Sequence, residues 1–143
     1  MTLHTREQLK GLGRLARREF PQALMSDSKW RKLFATVDRA GLAPERILVK
    51  FIDVDEIKSM RFPGESALHP PRPYIDTFEF GPIELRSIEW LLIPRQAHIR
   101  GDDGLPARIV EQDVDAIHEL VASAGQFPLE QIESGLKVTG YRR

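Results

Sequence analysis

Residues 47–54 read Ile47-Leu48-Val49-Lys50-Phe51-Ile52-Asp53-Val54, a run rich in β-branched and aromatic side chains. Strict alternation would mark a strand with one wet face. Here both alternating sets of positions are apolar as far as Ile52, so the segment is predicted to be a central strand covered on both sides. Pro44 introduces it. Further back, Trp30, Leu33, Phe34 and Val37 recur at spacings of three and four, with Lys29, Arg31, Lys32 and Asp38 largely outside that stripe. This is an amphipathic helix, opened by Ser26-Asp27-Ser28 and stopped at Gly41.

Forward from the strand, the segment from Phe62 to Pro73 holds Pro63, Gly64, Pro70, Pro71 and Pro73 and has no periodicity. It reads as a loop of about a dozen residues, a length uncommon in a compact domain and disproportionately found at functional positions. Tyr74 to Phe80 alternates, with Tyr74, Asp76, Phe78 and Phe80 on one face and Ile75, Thr77 and Glu79 on the other, before Gly81-Pro82 turns the chain. Ile83 to Ile93 is a further strand or a bent pair, closed by Pro94. Arg95 to Arg108, with Gly101-Asp102-Asp103-Gly104 in its middle, is an exposed weak hairpin or loop.

Asp113 then caps a helix whose Val114, Ile117, Leu120, Val121 and Ala124 form its buried face, and Gly125 ends it. Phe127 to Ile132 and Leu136 to Tyr141 flank Glu133-Ser134-Gly135, a hairpin with glycine where a positive φ is expected. Strands joined mostly by turns, with few helical crossovers, predict an α+β fold. The expected architecture is a two-layer sandwich, a mainly antiparallel sheet with about three helices over one face.

The third of those helices is the first in sequence. Leu9, Leu12, Ala16 and Phe20 fall three or four apart, while Arg6, Lys10, Arg14 and Arg18 repeat every four, giving a basic stripe beside an apolar one. Gly11 and Gly13 each cost about 1 kcal/mol relative to Ala in a helix interior, so this helix needs a surface to pack on. Met25 is an alternative start. Residues 1–24 are therefore set apart as an N-terminal amphipathic helical extension, and residues 25–143 as a single α+β domain.

The chain has 143 residues, with 21 Lys plus Arg against 21 Asp plus Glu, and 41% of its residues are hydrophobic. That composition excludes a disordered or fibrous chain, and folding at this size buries roughly two-thirds of the unfolded surface. The absence of cysteine excludes disulfides, thiolate zinc sites, iron–sulfur clusters and cysteine nucleophiles. No apolar run approaches the roughly 18 residues of a membrane span, and no cleavable leader is recognisable, so a cytoplasmic location is expected. The balanced total hides an asymmetry: residues 1–50 carry 11 basic and 5 acidic side chains, whereas residues 51–143 carry 10 and 16.

Candidate chemistry is sparse. Asp53, Asp55 and Glu56 cluster where the presumed central strand ends, and carboxylates held close there could divide acid and base roles, joined by His69 from the long loop. A solvated strand exit is the preferred reading, since no nucleophile or phosphate loop accompanies them. The four histidines lack ligand spacing, and Asp102-Asp103 lacks the spaced ligands of a calcium loop. No metal or cofactor is expected. Gly11-Leu12-Gly13 follows no strand, and no Gly-x-Ser-x-Gly elbow occurs. Nucleic-acid binding through Arg6, Lys10, Arg14 and Arg18 is a weaker alternative, because no recognition module accompanies that stripe. Glu89 is read as outward and Trp90 as core. His69, Arg72 and Tyr74, side chains favoured at interfaces and set on a proline-stiffened loop, are the first choice for a partner-binding surface.

Lys29-Trp30, Ile88-Glu89-Trp90-Leu91 and Gly140-Tyr141-Arg142 together resemble a family of small uncharacterised bacterial proteins, a domain of unknown function. The likeness extends from about Ser28 to Arg142. It implies a bacterial cytosolic origin, supplies no catalytic residue, and makes Trp30, Trp90 and Tyr141 structural anchors. The resulting expectation is a non-catalytic protein-binding domain, of the immunity or antitoxin type, with another protein as partner and a homo-oligomer left open. A small enzyme or ligand binder built on Asp53, Asp55 and Glu56 is the alternative from a different class.

Overall fold

In the computed structural model, which describes residues 22–68, 74–101, 104 and 106–142, the chain begins with strand β1 (Gln22–Ala23) and helix α1 (Asp27–Arg39). Strands β2 (Ile47–Phe51) and β3 (Lys58–Met60) follow, then β4 (Tyr74–Thr77), β5 (Gly81–Glu84) and β6 (Ile88–Pro94). Next come β7 (Gln96–Ile99), β8 (Arg108–Glu111) and helix α2 (Val114–Ala124), and the chain closes with β9 (Leu129–Ile132), β10 (Gly135–Thr139) and β11 (Tyr141–Arg142). Five strands form one antiparallel sheet in the order β3-β2-β6-β10-β9, and β1-β11, β4-β5 and β7-β8 are separate antiparallel pairs. The fold is thus α+β, with two α-helices among the described residues; the predicted helix containing Leu9, Leu12, Ala16 and Phe20 lies outside them. No helix among the described residues is long and apolar enough to cross a membrane.

The helices start and stop where local chemistry dictates. The Ser26 hydroxyl accepts the Lys29 N–H at 3.1 Å at the head of α1, and the Asp113 carboxylate accepts the Ala116 N–H at 3.1 Å at the head of α2, each satisfying a donor that the first turn leaves unpaired. At the far end of α1, Gly41 takes a φ of 73°. Its N–H donates to Asp38 O and that of Leu42 donates to Val37 O, the paired bonds of a glycine-terminated helix. Trp30, Leu33, Phe34 and Val37 are all buried, and Trp30 stacks on Phe34 with ring centroids 6.0 Å apart.

One face of the sheet enters the same core as both helices. Val49 of β2 pairs with Leu91 of β6, Leu91 with Val138 of β10, and Val138 with Leu129 of β9, so a row of apolar side chains crosses four strands. Val114, Ile117 and Val121 of α2 join that core, while Leu120 and Ala124 are half-buried. On the other face, Leu48, Lys50, Trp90, Leu92 and Lys137 are half-buried.

Four sequence-based expectations are corrected. β2 ends at Phe51, because the Ile52 N–H donates to Ser87 O and a turn follows, while its place inside the sheet, between β3 and β6, is as expected. The alternation from Tyr74 to Phe80 yields only the four-residue β4, with the turn at 78–80 and Gly81 opening β5. Trp90 lies on the face away from the helices, with the Lys137 ammonium 5.2 Å from its ring centroid, since the register shift at Lys50/Phe51 makes β6 change faces there. Gly135 is not among the positive-φ glycines; a Cβ there would lie 2.1 Å from Ile93 O, so glycine is required by the approach of the neighbouring strand. Residues 22–24 are tied to the domain, through the β1-β11 pairing and the Leu24 N–H donated to Gly140 O.

Candidate functional site

The carboxylates at the strand exit stand in the connection between β2 and β3. Because β2 stops at Phe51, the alternation that would aim Asp53 and Asp55 the same way is absent. Asp53, Asp55 and Glu56 are exposed, and Glu56, with a side chain 80% exposed, pairs with Lys58 at 3.1 Å. His69 lies outside the described residues. Among the described residues, no group of three or more His, Asp or Glu side chains converges as a metal site would require.

The first half of the long loop is bound to α1. The Glu65 N–H donates to Asp38 Oδ2 at 2.8 Å, the Arg39 guanidinium pairs with the Glu65 carboxylate at 2.6 Å, and Arg31 donates to the Leu68 carbonyl. Gly64 fits because a Cβ would come 3.0 Å from Asp38 Oδ2. A groove of about 410 Å³ separates this segment from the β4-β5 hairpin, with Phe62, Pro63 and Ala67 on one side and Asp76, Thr77 and Phe78 on the other. His69 and Arg72 lie outside the described residues; Tyr74 opens β4, and its side chain is likewise outside them.

Phe78 stands at the rim of this groove, 78% exposed, with the Arg61 guanidinium 4.1 Å above its ring. The arrangement is held from below by Glu79, which accepts from Arg46 at 2.8 Å and from the Arg61 N–H at 3.3 Å. The turn that lifts Phe78 out is closed by Thr77, whose hydroxyl accepts the Phe80 N–H at 3.0 Å and donates to Gly81 O at 2.8 Å. Sequence reasoning placed Phe78 within a strand; the hydroxyl-bearing Thr77 four residues before a glycine was the local signal of a turn.

A second polar cluster lies at the start of α1. Glu84, 5% exposed, receives both Arg86 donors at 2.9 Å in a bidentate pair, and the Tyr141 hydroxyl donates to Arg86 O at 2.6 Å. Burial, with the neighbouring Glu84 carboxylate adding to it, raises the Asp27 carboxyl above its ordinary value against the opposing pull of Arg86 and Arg31. Burial likewise raises the Tyr141 phenol, and the hydrogen bond to Glu84 raises Arg86. Nearby, a Cβ on Gly140 would lie 2.3 Å from Ile88 O and 3.2 Å from Trp30 Cζ2, and the Gly140 N–H donates to Glu89 O at 2.7 Å. The three segments Lys29-Trp30, Ile88-Glu89-Trp90-Leu91 and Gly140-Tyr141-Arg142 therefore meet at one corner, where they fasten the C-terminal strand to α1 and β6. Glu84, Arg86 and Tyr141 are occupied with one another, which is the pattern of a structural clamp.

Comparison with protein-family models, with curated proteins and with solved structures gives no significant match.

Proposed function

We propose that the chain is a non-catalytic bacterial protein-binding domain, a cytoplasmic partner protein of the immunity or antitoxin type, with helices and sheet in two layers and kinship to the small bacterial family its motifs resemble. The observation that carries the reading is Phe78, exposed at the rim of the groove with the Arg61 guanidinium over its ring. An aromatic ring on a hydrogen-bonded turn, with an arginine from the neighbouring segment over it, joins two side-chain types enriched at protein interfaces, and a large ring left in water loses the burial worth about 25 cal/mol per Å² of apolar surface. The surplus of acidic side chains after residue 50 fits a basic partner, such as a nuclease.

The test is affinity capture from a lysate of the source cells with the full chain and its Phe78→Ser and Arg61→Ala variants, bound proteins and nucleic acid both being identified. One stoichiometric protein partner, retained by the unaltered chain and lost by Phe78→Ser with the circular dichroism unchanged, is the expected result. A partner held equally by all three, or capture of no macromolecule by the unaltered chain, overturns the reading.

A further inference from the structure

A second cleft, of about 460 Å³, opens where the sheet face away from the helices meets the β7-β8 hairpin. Its floor is apolar: Leu48 and Leu92, paired across β2 and β6, with Pro94. Two exposed carboxylates, Glu111 of β8 and Glu133 of the β9-β10 turn, line it as well.

The walls are fixed in place by bonds that sequence reasoning did not anticipate. The side-chain amide of Gln112 donates to Pro94 O at 2.8 Å and to Arg46 O at 3.0 Å, and its oxygen accepts the Arg46 N–H at 3.0 Å, fastening the base of the hairpin to the chain entering β2. The Arg95 N–H donates to Ser134 O at 2.9 Å, which ties the turn carrying Glu133 to the same place. A site held open in this way binds without first having to be ordered.

The charge of the cleft is negative. Arg95, the one Lys or Arg among its lining residues, is engaged by Asp115 at 3.1 Å; Lys137, the neighbour of Leu92 on β10, holds its ammonium over the Trp90 ring; and the stretch of chain that supplies both carboxylates, residues 111–134, is acidic in sequence, with Glu111, Asp113, Asp115, Glu119, Glu130 and Glu133 and no Lys or Arg. Glu111 is oriented by Gln96, whose amide donates to it at 2.7 Å, and a carboxylate of this kind keeps further lone pairs for a second donor. An apolar floor beneath two carboxylates matches a side chain with an aliphatic stem and a cationic head.

We propose that this cleft receives a long cationic side chain, arginine or lysine, of a basic partner protein, its stem on Leu48 and Leu92 and its head between Glu111 and Glu133. The inference rests on the protein-binding reading for the identity of the occupant and adds a specificity pocket to it.

The test is a nuclear magnetic resonance titration of the full chain with n-butylguanidinium at pH 8. Saturable shifts are expected at the amides of Leu92, Gln96, Glu111 and Glu133. Guanidinium ion, which lacks the stem, is expected to bind at least about tenfold more weakly, as is n-butylurea, which lacks the charge. A Glu111→Gln/Glu133→Gln variant should lose about tenfold. Equal binding of n-butylurea or of guanidinium ion, or shifts confined to Asp113, Glu119 and Glu130, overturns the proposal. The ligand comparison decides on the unaltered chain even where the double variant fails to fold. Because the probe needs no partner, a failed titration removes the cleft inference alone, whereas a failed capture removes the reading it rests on.

Discussion

Asp27 occupies the first turn of α1, where the helix dipole favours a negative charge, yet burial raises its carboxyl above the ordinary value. A raised folded-state pKa means that the folded protein holds the proton more tightly than the unfolded chain. The stabilising contribution is then fully present below the unfolded value, 3.8, and is lost as pH rises through the folded one. An Asp27→Asn variant has no such dependence. Urea denaturation of both proteins across pH 3 to 7 should therefore show the variant gaining stability relative to the unaltered chain as pH rises, with Ser26 still capping the helix in each. A difference that runs the other way would place the charged carboxylate among the stabilising partners of Arg86 and Arg31.

Among the elements, the β4-β5 hairpin depends on one hydroxyl. Thr77 serves as acceptor for Phe80 and donor to Gly81, and Val matches its shape without that chemistry. Thr77→Val should cost about 1–2 kcal/mol and speed amide exchange at Phe80, with the core amides of β6 unaffected; equal acceleration in β6 would show that the hairpin is not a local unit. Both helices were legible because their signals are local: stripes at three and four, an oxygen-bearing cap, and a glycine stop at Gly41. The strand ends were not, since Ile52 leaves β2 to donate to Ser87, a partner 35 positions away in sequence. Gly135 looked like a turn glycine and is in fact pressed against Ile93 O, a demand that only the folded neighbour makes. The candidate sites were hidden for the same reason. Gln112, which braces the acidic cleft from both sides, reads in sequence as one more polar residue between Glu111 and Asp113, and the exposure of Phe78 follows from a turn that shortened the expected strand.

Across the whole molecule, equal numbers of basic and acidic side chains leave no net charge near neutrality to keep copies apart, while the first 50 residues hold the basic surplus and the remainder the acidic one. Copies without net charge can attract one another through their unevenly distributed charges, and at low salt that attraction reaches beyond contact distance. Raising ionic strength screens it, with a Debye length of about 10 Å at 0.1 M falling to about 3 Å at 1 M. Static light scattering near pH 7 should accordingly show net attraction between copies in dilute buffer that weakens steadily as sodium chloride is added. Attraction that strengthens with salt would instead assign self-association to apolar surface, to which Phe78, Ile57 and Ile109 contribute as the exposed large hydrophobic side chains among the described residues, and Phe78→Ser separates the two cases: it leaves the charge distribution untouched, so it should not alter an electrostatic attraction and should diminish an apolar one.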